Sequence, residues 1–381
     1  MYSPKYTISN QILKNISTIE ACREVIDNAP IVPAYERKFK EEALVRTVHH
    51  GTRIEGNDLS FEQANQVIRG SKGETDAGEA IKDSGVYARE RDVQEVINYR
   101  AVMEYLSGQY EKRRKDPSAS SGQGGEGYYR YTEGLIKQIH KLTVYRIVLE
   151  ENQGEYRKTQ VVLRDSRTGE VTFRPPPAVE IPYLMEDFTA WINSIAGREI
   201  HPVLRAGVAH YALAAIHPFV EGNGRTSRAF ANLVLFIEGY DTRRLFSLEE
   251  YFDRDAESYY QTLIATSNQT HDLVSRDLTS WLEYFTFGMS LELAKVREKV
   301  KKLSVDLRIK SKRGEQILLT DRQIKVVEYL SQNNVAVMGQ LRDLFPEFSE
   351  DTVLRDMQAL VNKGVVKKKG KTKGAVYELS T

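Results

Sequence analysis

The chain has 381 residues, of which 41% are hydrophobic, a formal net charge of +1 and one cysteine. At roughly 100–200 residues per domain this length suggests two or three domains, and the hydrophobic fraction excludes a chain that is disordered throughout. No apolar run reaches the roughly 18 residues of a membrane span, and the first residues lack the pattern of a signal peptide. The single cysteine, Cys22, excludes an internal disulfide and cysteine-rich zinc modules. We therefore expect a cytoplasmic protein.

Charge is distributed unevenly along the chain. From Lys295 to Thr381 there are 19 Lys and Arg against 11 Asp and Glu, a net charge of +8. The rest of the chain holds 35 basic and 42 acidic residues, a net charge of −7. An acidic body followed by a basic segment indicates an acidic partner for that segment.

Hydrophobic residues at helical spacing predict helices through most of residues 1–110. Residues 111–127 are polar and rich in Gly and Ser, so we expect an exposed loop there. A helix is predicted over 131–142. The runs 161–163 and 171–173 then favour β-strands, and the Ser-Arg-Thr-Gly connection between them predicts a hairpin. The remaining helices of this part are predicted over 181–195, 202–216, 226–238, 249–266 and 277–302.

The end of the chain has a compact pattern of its own. Helices are predicted over 320–330, 337–344 and 349–362, followed by β-like runs at 365–368 and 375–379. Three helices and a basic hairpin are typical of a winged helix-turn-helix. We therefore predict a mainly α fold, with a helical core, a β-hairpin and a small α+β winged-helix domain. The predicted parts are residues 1–110, 128–290, 291–316 (a basic helix and linker) and 317–381.

The segment HPFVEGNGRTSR, residues 217–228, combines several features of an anion site. Pro218 disfavours helical geometry at His217 and so ends the preceding helix. The Gly-Asn-Gly at 222–224 tolerates positive φ, which lets backbone N–H groups converge as in a phosphate-binding nest. A helix follows at once, and its N-terminus also favours an anion.

Four side chains of this segment carry charge or protons. Arg225 and Arg228 are three residues apart, so they share one helix face and both can reach phosphate oxygens. Glu221 supplies a carboxylate, and Mg²⁺ on phosphates usually takes one or two carboxylates. His217 can accept a proton at neutral pH. Each residue alone is common in a structural role, but the combination within twelve residues predicts a site.

Residues 217–228 resemble the signature of the Fic family, His-x-Phe-x-Asp/Glu-Gly-Asn-Gly-Arg-x-x-Arg, at every fixed position. The resemblance extends from about Tyr131 through Asn268 and implies a Fic-type helical core. It implies transfer of AMP from ATP to a Ser, Thr or Tyr hydroxyl of a target protein or of the chain itself. Catalysis would rest on positioning and charge stabilisation. Dimers are common in the family, so a homodimer is one expected assembly.

The resemblance also implies a role for each residue of the segment. His217 would be the general base, and Glu221 would hold Mg²⁺ on the nucleotide. The triphosphate would be bound by Gly222, Asn223, Gly224, Arg225 and Arg228. The Doc-like branch of the family, which transfers phosphate, has a lysine at the position of Gly224. The glycine therefore favours AMP transfer.

Fic proteins bind the main chain of a target along a β-hairpin, the flap, which residues 156–177 resemble. An exposed hairpin edge can bind an extended peptide by strand addition. The resemblance places Leu163 and Arg164 near the nucleotide. A plain surface hairpin is the alternative.

Tyr259, Tyr260 and Asn268 resemble residues that Fic proteins use around the adenosine. A Tyr-Tyr pair on a helix is also common in a protein core. His140 resembles a helix position of the family core. The histidines outside the signature show no metal-binding spacing, so zinc is not expected.

Glu55 lies in Thr-Arg-Ile-Glu-Gly-Asn, where a helix through Arg53 would end at Gly56. A carboxylate in the last turn opposes the helix dipole and needs a cation. Many Fic proteins carry an inhibitory motif, Ser/Thr-x-x-x-Glu-Gly/Asn, whose glutamate pairs with the second arginine of the signature. The resemblance implies that Glu55 pairs with Arg228 and makes ATP bind unproductively. This chain departs from that motif, because Gly51 stands at the Ser/Thr position. The alternative is an exposed helix-end glutamate before the Ser60/Gln63 capping box of the next helix.

The predicted winged helix allows a second class of function. It carries lysines that suit contact with a phosphate backbone, namely Lys367, Lys368, Lys369, Lys371 and Lys373. Its third helix, however, also presents Glu350, Asp351 and Asp356, and winged helices also serve as protein-binding modules. The alternatives to an adenylyltransferase are a DNA-binding regulator with the Fic part as nucleotide sensor, and an enzyme that removes AMP from a target.

Overall fold

The computed structural model describes residues 2–29, 31, 33–70, 77–115, 128–164, 168–308, 319–370 and 375–380. In these residues the chain is mainly helical and has two small antiparallel sheets, as predicted. It forms two compact units, one of Met1–Asp27 with Arg37–Lys295, the other of Asn28–Glu36 with Val296–Thr381. Across the described ranges, no helix has the length and apolar character needed to cross a membrane.

The helices before the hairpin are α1 (Asn10–Asp27), α2 (Pro33–Arg53), α3 (Phe61–Gly70), α4 (Ala77–Ser84), α5 (Glu90–Lys115) and α6 (Glu133–Thr143). Those after it are α7 (Ile181–Asn193), α8 (Ile195–Glu199), α9 (Pro202–Ile216), α10 (Asn223–Ile237), α11 (Leu248–Arg254), α12 (Ala256–Ser267) and α13 (Thr279–Arg308). Helix α5 continues to Lys115, so the loop predicted from residue 111 starts later, and the rest of it lies outside the described residues.

Helix α9 is the central element of the larger unit, since it is mostly apolar and almost fully buried. It begins at Pro202, where the missing N–H costs no helical hydrogen bond. Gly207 lets α13 approach closely, because a Cβ there would lie 2.8 Å from Leu282 Cδ2. At the same point Trp281 Nε1 donates to the Gly207 carbonyl over 2.7 Å. These contacts fix the helix that ends at His217.

Several predicted helix boundaries differ from the observed ones. The helix predicted over 181–195 ends at Asn193, since Ser194 caps α8. The helix predicted over 249–266 is two helices that meet at Asp255. The helix predicted from residue 226 begins three residues earlier, at Asn223.

The hairpin pairs β1 (Leu163–Arg164) with β2 (Val171–Phe173). Leu163 lies opposite Phe173 and Arg164 opposite Val171, with an irregular register between them. The first strand therefore begins at residue 163, where the sequence predicted 161–163. Residues 165–167 of the connection lie outside the described residues.

The smaller unit contains α14 (Asp321–Asn333), β3 (Val335–Val337), α15 (Met338–Asp343), α16 (Glu350–Asn362), β4 (Val366–Lys369) and β5 (Val376–Leu379). Its strands form one antiparallel sheet in the order β3-β5-β4. The three helices and the final strand pair agree with the elements predicted from the sequence, whereas β3 was not predicted. Apolar residues of the helices and the sheet pack into a core of their own. The winged-helix interpretation and the four-part division of the chain stay predictions.

We expect Gly207→Val to destabilise the protein by about 1–3 kcal/mol, because the added methyl groups would overlap Leu282 and Phe285. The matched control is Gly108→Ala on the exposed side of α5, where a Cβ meets nothing within 4 Å. That change should leave stability equal or raise it by up to about 1 kcal/mol. Urea denaturation followed by circular dichroism measures both, and equal stability of the two variants would refute the packing argument.

Candidate active site

His217 stands at the C-terminal end of α9 in the left-handed region, with φ 51°. Its N–H still donates to the Leu213 carbonyl, and Pro218 then turns the chain away. The Nδ1 atom lies 3.3 Å from the Ala214 carbonyl, which favours the tautomer with the proton on Nδ1. Burial lowers the pKa of His217 to about 4. The ring is therefore neutral near pH 7, with Nε2 able to accept a proton.

The loop after His217 is held by its own side chains. Asn223 Oδ1 accepts from the Phe219 N–H, and Asn223 Nδ2 donates to the Phe219 carbonyl, each over 2.9 Å. Within residues 222–224 only Gly222 takes a positive φ, at 75°, and it caps α10. The three-residue nest predicted from the sequence is thus one left-handed glycine followed by the first turn of a helix. The anion site predicted at the N–H groups of that turn stays a prediction.

His140, on α6, holds this loop in place through hydrogen bonds and ring stacking. Its Nε2 lies 2.9 Å from the Glu221 carbonyl, and its Nδ1 accepts the Gly154 N–H over 3.0 Å. The ring stacks on Phe219 with centroids 3.7 Å apart. Burial lowers its pKa to about 4, so the ring is a neutral structural support.

Arg228 is 2% exposed and pairs with Glu55, as the resemblance implied. Its Nη2 donates to Glu55 Oε1 and to the Gly51 carbonyl, each over 2.9 Å. Burial acts to raise the pKa of Glu55, but the charges of Arg228 and Arg225 outweigh it and lower the pKa. Glu55 is consequently a carboxylate near neutral pH.

The same carboxylate covers Gly224, at the first turn of α10. A Cβ on Gly224 would lie 2.0 Å from Glu55 Oε1. The space that the glycine leaves, assigned to the triphosphate from the sequence, is thus occupied by Glu55 in this structure. Tyr260 holds the segment from the other side, since its hydroxyl donates to the Ile54 carbonyl over 2.9 Å.

Gly51 departs from the inhibitory motif because Tyr99 fills the place of a side chain. A Cβ on Gly51 would lie 2.3 Å from Tyr99 Cε1. The ring is fixed, because the Tyr99 hydroxyl donates to Glu249 Oε1 over 3.1 Å, and Asn232 donates to the same oxygen. The Gly51 carbonyl accepts a hydrogen bond from Arg228.

A cavity of 680 Å³ joins these parts. Eight of the predicted site residues line it, namely Glu55, Leu163, Arg164, His217, Gly224, Arg228, Tyr259 and Tyr260. Tyr259 is almost fully buried and its hydroxyl lies 2.9 Å from His210 Nε2, so it is also a core residue. Thr172 and Phe173 of the hairpin line the cavity beside Leu163 and Arg164.

The remaining predicted residues do not line this cavity. Asn268 is exposed just beyond α12, which does not support its predicted place near the adenosine. Arg225 is buried, with Nη1 3.4 Å from Glu95 Oε1. Glu221 forms an ion pair with Arg91 of α5 and lies 3.8 Å from Arg225 Nη2. Gly222 and Asn223 shape the loop, as described above.

The supporting roles of Arg91, Glu95, Tyr99 and Arg157 were not predicted from the sequence, and His140 was assigned only to the family core. A pattern was available for two of them. Glu95 interrupts the apolar positions of α5, and His140 lies on the apolar side of α6. A buried polar residue on an apolar helix face indicates a specific partner, but not which one.

In the smaller unit, Lys367, Lys368 and Lys369 are exposed on β4, and Lys369 pairs with Glu378. Lys371 and Lys373 lie outside the described residues. Asp356 was predicted to face outward, but it is 7% exposed and bonded to Arg322 Nε over 2.6 Å, because α16 packs its face against α14. In the described ranges, no cluster of three or more His, Cys, Asp or Glu is arranged to hold a metal.

Residues 130–235 match the profile of the Fic/DOC family. The chain therefore contains a Fic domain, and the signature at 217–228 lies within it. Over 227 residues it is 27% identical to Protein adenylyltransferase Fic of Drosophila grimshawi and 26% identical to that of Culex quinquefasciatus. The first alignment covers 60% of this chain and 40% of the relative, the second 60% and 39%. The chain thus spans about two fifths of the length of these relatives.

Solved structures show the same fold. A Fic family protein from Desulfovibrio desulfuricans G20 superposes with a TM-score of 0.62 at 21% identity, covering 99% of this chain and 98% of the other. Fic-1 from C. elegans superposes with a TM-score of 0.53 at 22% identity, covering 76% and 73%. At these identities the likeness concerns the fold alone.

We expect Gly51→Ser to loosen the Glu55 segment, because the added side chain would overlap the fixed ring of Tyr99. Overpacking would destabilise this segment by about 1–3 kcal/mol, which would raise the amide exchange rate of residues 50–57 about tenfold or more. The double variant Gly51→Ser/Tyr99→Leu should regain protection, since the smaller side chain makes room, and Tyr99→Leu alone is its control. Hydrogen-exchange mass spectrometry checks this. Unchanged exchange in Gly51→Ser would contradict the overlap.

Proposed function

We propose that the protein is a protein adenylyltransferase, which transfers AMP from ATP to a Ser, Thr or Tyr hydroxyl of a target protein or of itself. One observation carries the proposal: a neutral His217, buried Arg228 and the first turn of α10 border one cavity of 680 Å³. That volume is within the range of small-ligand sites. The Fic domain and the curated relatives, which are named protein adenylyltransferases, support the reaction class.

In the proposed reaction His217 acts as the general base. Its Nε2 takes the proton of the target hydroxyl while the hydroxyl oxygen attacks the α-phosphorus of ATP. The bond from the α-phosphorus to the bridging oxygen breaks, and pyrophosphate leaves with that electron pair. The hydrogen bond from Nδ1 to Ala214 holds the imidazole in the tautomer that this step needs.

The phosphates would be bound at the N-terminus of α10. The N–H groups of its first turn and Arg228, which lines the cavity, would donate to oxygens whose charge increases during transfer. Arg225, which pairs with Glu95 and does not line the cavity, would add positive charge. Because both guanidiniums are buried, their charges act with little screening by water.

Mg²⁺ is the expected cofactor, and Glu221 is the residue that would hold it. The donor set fits, because Mg²⁺ on a nucleotide needs one or two protein carboxylates and completes its shell with phosphates and water. The Glu221 side chain is 32% exposed, so an ion can reach it. When bound, the ion would neutralise phosphate charge and orient the leaving group.

Glu55 would hold the enzyme in check. Its carboxylate occupies the space above Gly224 and takes the guanidinium of Arg228, so a γ-phosphate would meet a negative charge and lose its partner. ATP would then bind with its α-phosphorus out of line with the hydroxyl. The hairpin of residues 156–177 would present that hydroxyl, since its strands line the cavity beside His217.

DNA binding by the smaller unit, removal of AMP from a target, a homodimer and a cytoplasmic location stay predictions from the sequence. The acceptor residue and the target stay open as well.

We expect Glu55→Gly protein to label itself or a lysate protein when given Mg²⁺ and ATP labelled on the α-phosphate, at a rate at least tenfold above the unmodified chain. Removing the carboxylate frees Arg228 and the space above Gly224. The double variant Glu55→Gly/His217→Ala should lose labelling by about a hundredfold or more, as expected for a general base. Label from the γ-phosphate should not be transferred.

The matched control is Glu62→Gly, an acidic residue of α3 outside the site, which should label like the unmodified chain. Equal labelling with and without His217 would refute the proposed mechanism. Transfer of label from the γ-phosphate would show that the protein transfers phosphate and not AMP.

We expect the labelling rate of the Glu55→Gly protein to change less than about twofold between pH 8 and pH 6. A base works in its neutral form, and with a pKa near 4 His217 stays neutral throughout this range. The rate should fall only as pH approaches the lowered pKa. Initial rates at constant ionic strength, with circular dichroism to verify folding, measure this. A tenfold loss per pH unit that begins near 6.5 would contradict it.

A further inference from the structure

Arg157 is a buried guanidinium, 3% exposed, that joins the end of α9 to both sides of the hairpin. Its Nε donates to the His217 carbonyl over 2.9 Å. Its Nη1 donates to the Thr159 carbonyl over 3.0 Å, and its Nη2 to the Pro176 carbonyl over 2.6 Å. Thr159 precedes the first strand and Pro176 follows the second. One planar group thus contacts three separate stretches of chain.

The main chain repeats the connection. The Arg157 N–H donates to the Pro218 carbonyl over 2.9 Å, so residue 157 is bonded to two consecutive residues at the end of α9. Gln160 links the two sides of the hairpin a second time, since its Nε2 donates to the Pro175 carbonyl over 3.0 Å. The base of the hairpin and the turn at His217 therefore form one bonded assembly.

The choice of arginine is costly here, which argues for a specific role. Within the described residues, the guanidinium donates its hydrogen bonds to carbonyl oxygens and not to a carboxylate. Burial without a negative partner is unfavourable, and it lowers the pKa of Arg157. The rigid fork of donors compensates by fixing three carbonyls at set angles, which a lysine cannot do.

The contact at His217 matters because the backbone there is strained. A non-glycine residue in the left-handed region is unfavourable, and it persists only when its surroundings hold it. The carbonyl of His217 is the group that Arg157 holds. A change at that carbonyl would rotate the residue and move its imidazole.

We propose that Arg157 is a positioning residue that couples the hairpin to His217, so that a hydroxyl presented by the hairpin meets Nε2 of the base. The role of Arg157 in catalysis rests on the proposed function, whereas the structural coupling of the hairpin to His217 does not. Arg157 does not line the cavity, and its donors are used by the protein main chain.

The first experiment tests coupling without any activity. Hydrogen-exchange mass spectrometry compares the unmodified chain with Arg157→Gln, Arg157→Lys and the control Arg130→Gln, an exposed arginine outside the site. In Arg157→Gln, exchange of peptides from the hairpin (158–176) and from the end of α9 (213–222) should rise together, about tenfold or more, as expected for lost charged hydrogen bonds. Arg157→Lys should give a smaller rise in both, and Arg130→Gln none.

A rise in the hairpin alone, or in neither peptide, would overturn the coupling. If neither Arg157 variant folds, the coupling is tested on the unmodified chain by measuring hydrogen exchange of the two peptides at increasing urea concentration. The opening reactions of the two peptides should then have the same free energy and the same dependence on urea. Independent opening would then refute the proposal.

The second experiment tests whether Arg157 affects catalysis. It is carried out in the Glu55→Gly protein with α-labelled ATP, and the rate of self-labelling is measured. Arg157→Gln should lower the maximal rate at least tenfold and change the ATP concentration for half-maximal rate less than threefold, because the phosphate site has its own supports. Arg157→Lys should restore part of the rate. A change confined to the ATP dependence would overturn the positioning role. If the Glu55→Gly protein itself shows no labelling, the proposed function is refuted. The coupling is then judged from the hydrogen-exchange experiment alone.

Discussion

The ion pair between the buried guanidinium of Arg228 and the carboxylate of Glu55 is the interaction on which the site depends. Arg228 lies in the second turn of α10, 2% exposed, and Glu55 from the end of α2 meets it at 2.9 Å. Leaving such a charge unpaired would cost several kcal/mol, so the site always needs a negative partner. In this structure the partner is the protein's own carboxylate, and in the proposed reaction it is a phosphate. Competition between two anions for one cation provides a simple physical basis for control.

The reactive turn is short, and its geometry depends on neighbours from distant parts of the chain. His140 holds the carbonyl of Glu221, Asn223 ties the loop to Phe219, and Arg157 holds the carbonyl of His217. Each is a buried polar side chain bonded to a main-chain group. Such bonds fix a loop that has no regular structure of its own. The site is thus a helix end and a helix start whose relative positions are set by supports from α6 and the hairpin.

Much of the fold followed from hydrophobic periodicity and caps. The helix before His217 and the three helices and strand pair of the smaller unit were predicted close to their observed bounds, because each has a strong apolar pattern or a clear cap. Boundaries failed where one residue interrupts a helix, as at Ser194, whose side chain caps α8, and at Asp255, whose backbone leaves helical geometry. The Gly-Asn-Gly segment was predicted as a nest, but Asn223 bonds back to Phe219 and the helix begins early. The pair of Glu55 and Arg228 was predicted from the family resemblance. Local sequence patterns could not predict it, because the two residues are 173 positions apart.

By itself, the sequence determined which chemical groups this segment carries, because residues 217–228 are contiguous and bring a histidine, a carboxylate and two arginines to one helix N-terminus. Only the tertiary structure decided which charges meet. Glu221 faces Arg91, Arg225 faces Glu95, and Gly51 is a glycine because Tyr99 occupies the adjacent space. Such partners come from helices far apart in the chain, so they depend on packing and not on spacing. Periodicity predicts which face of a helix is buried, but not which side chain of another helix it will meet there.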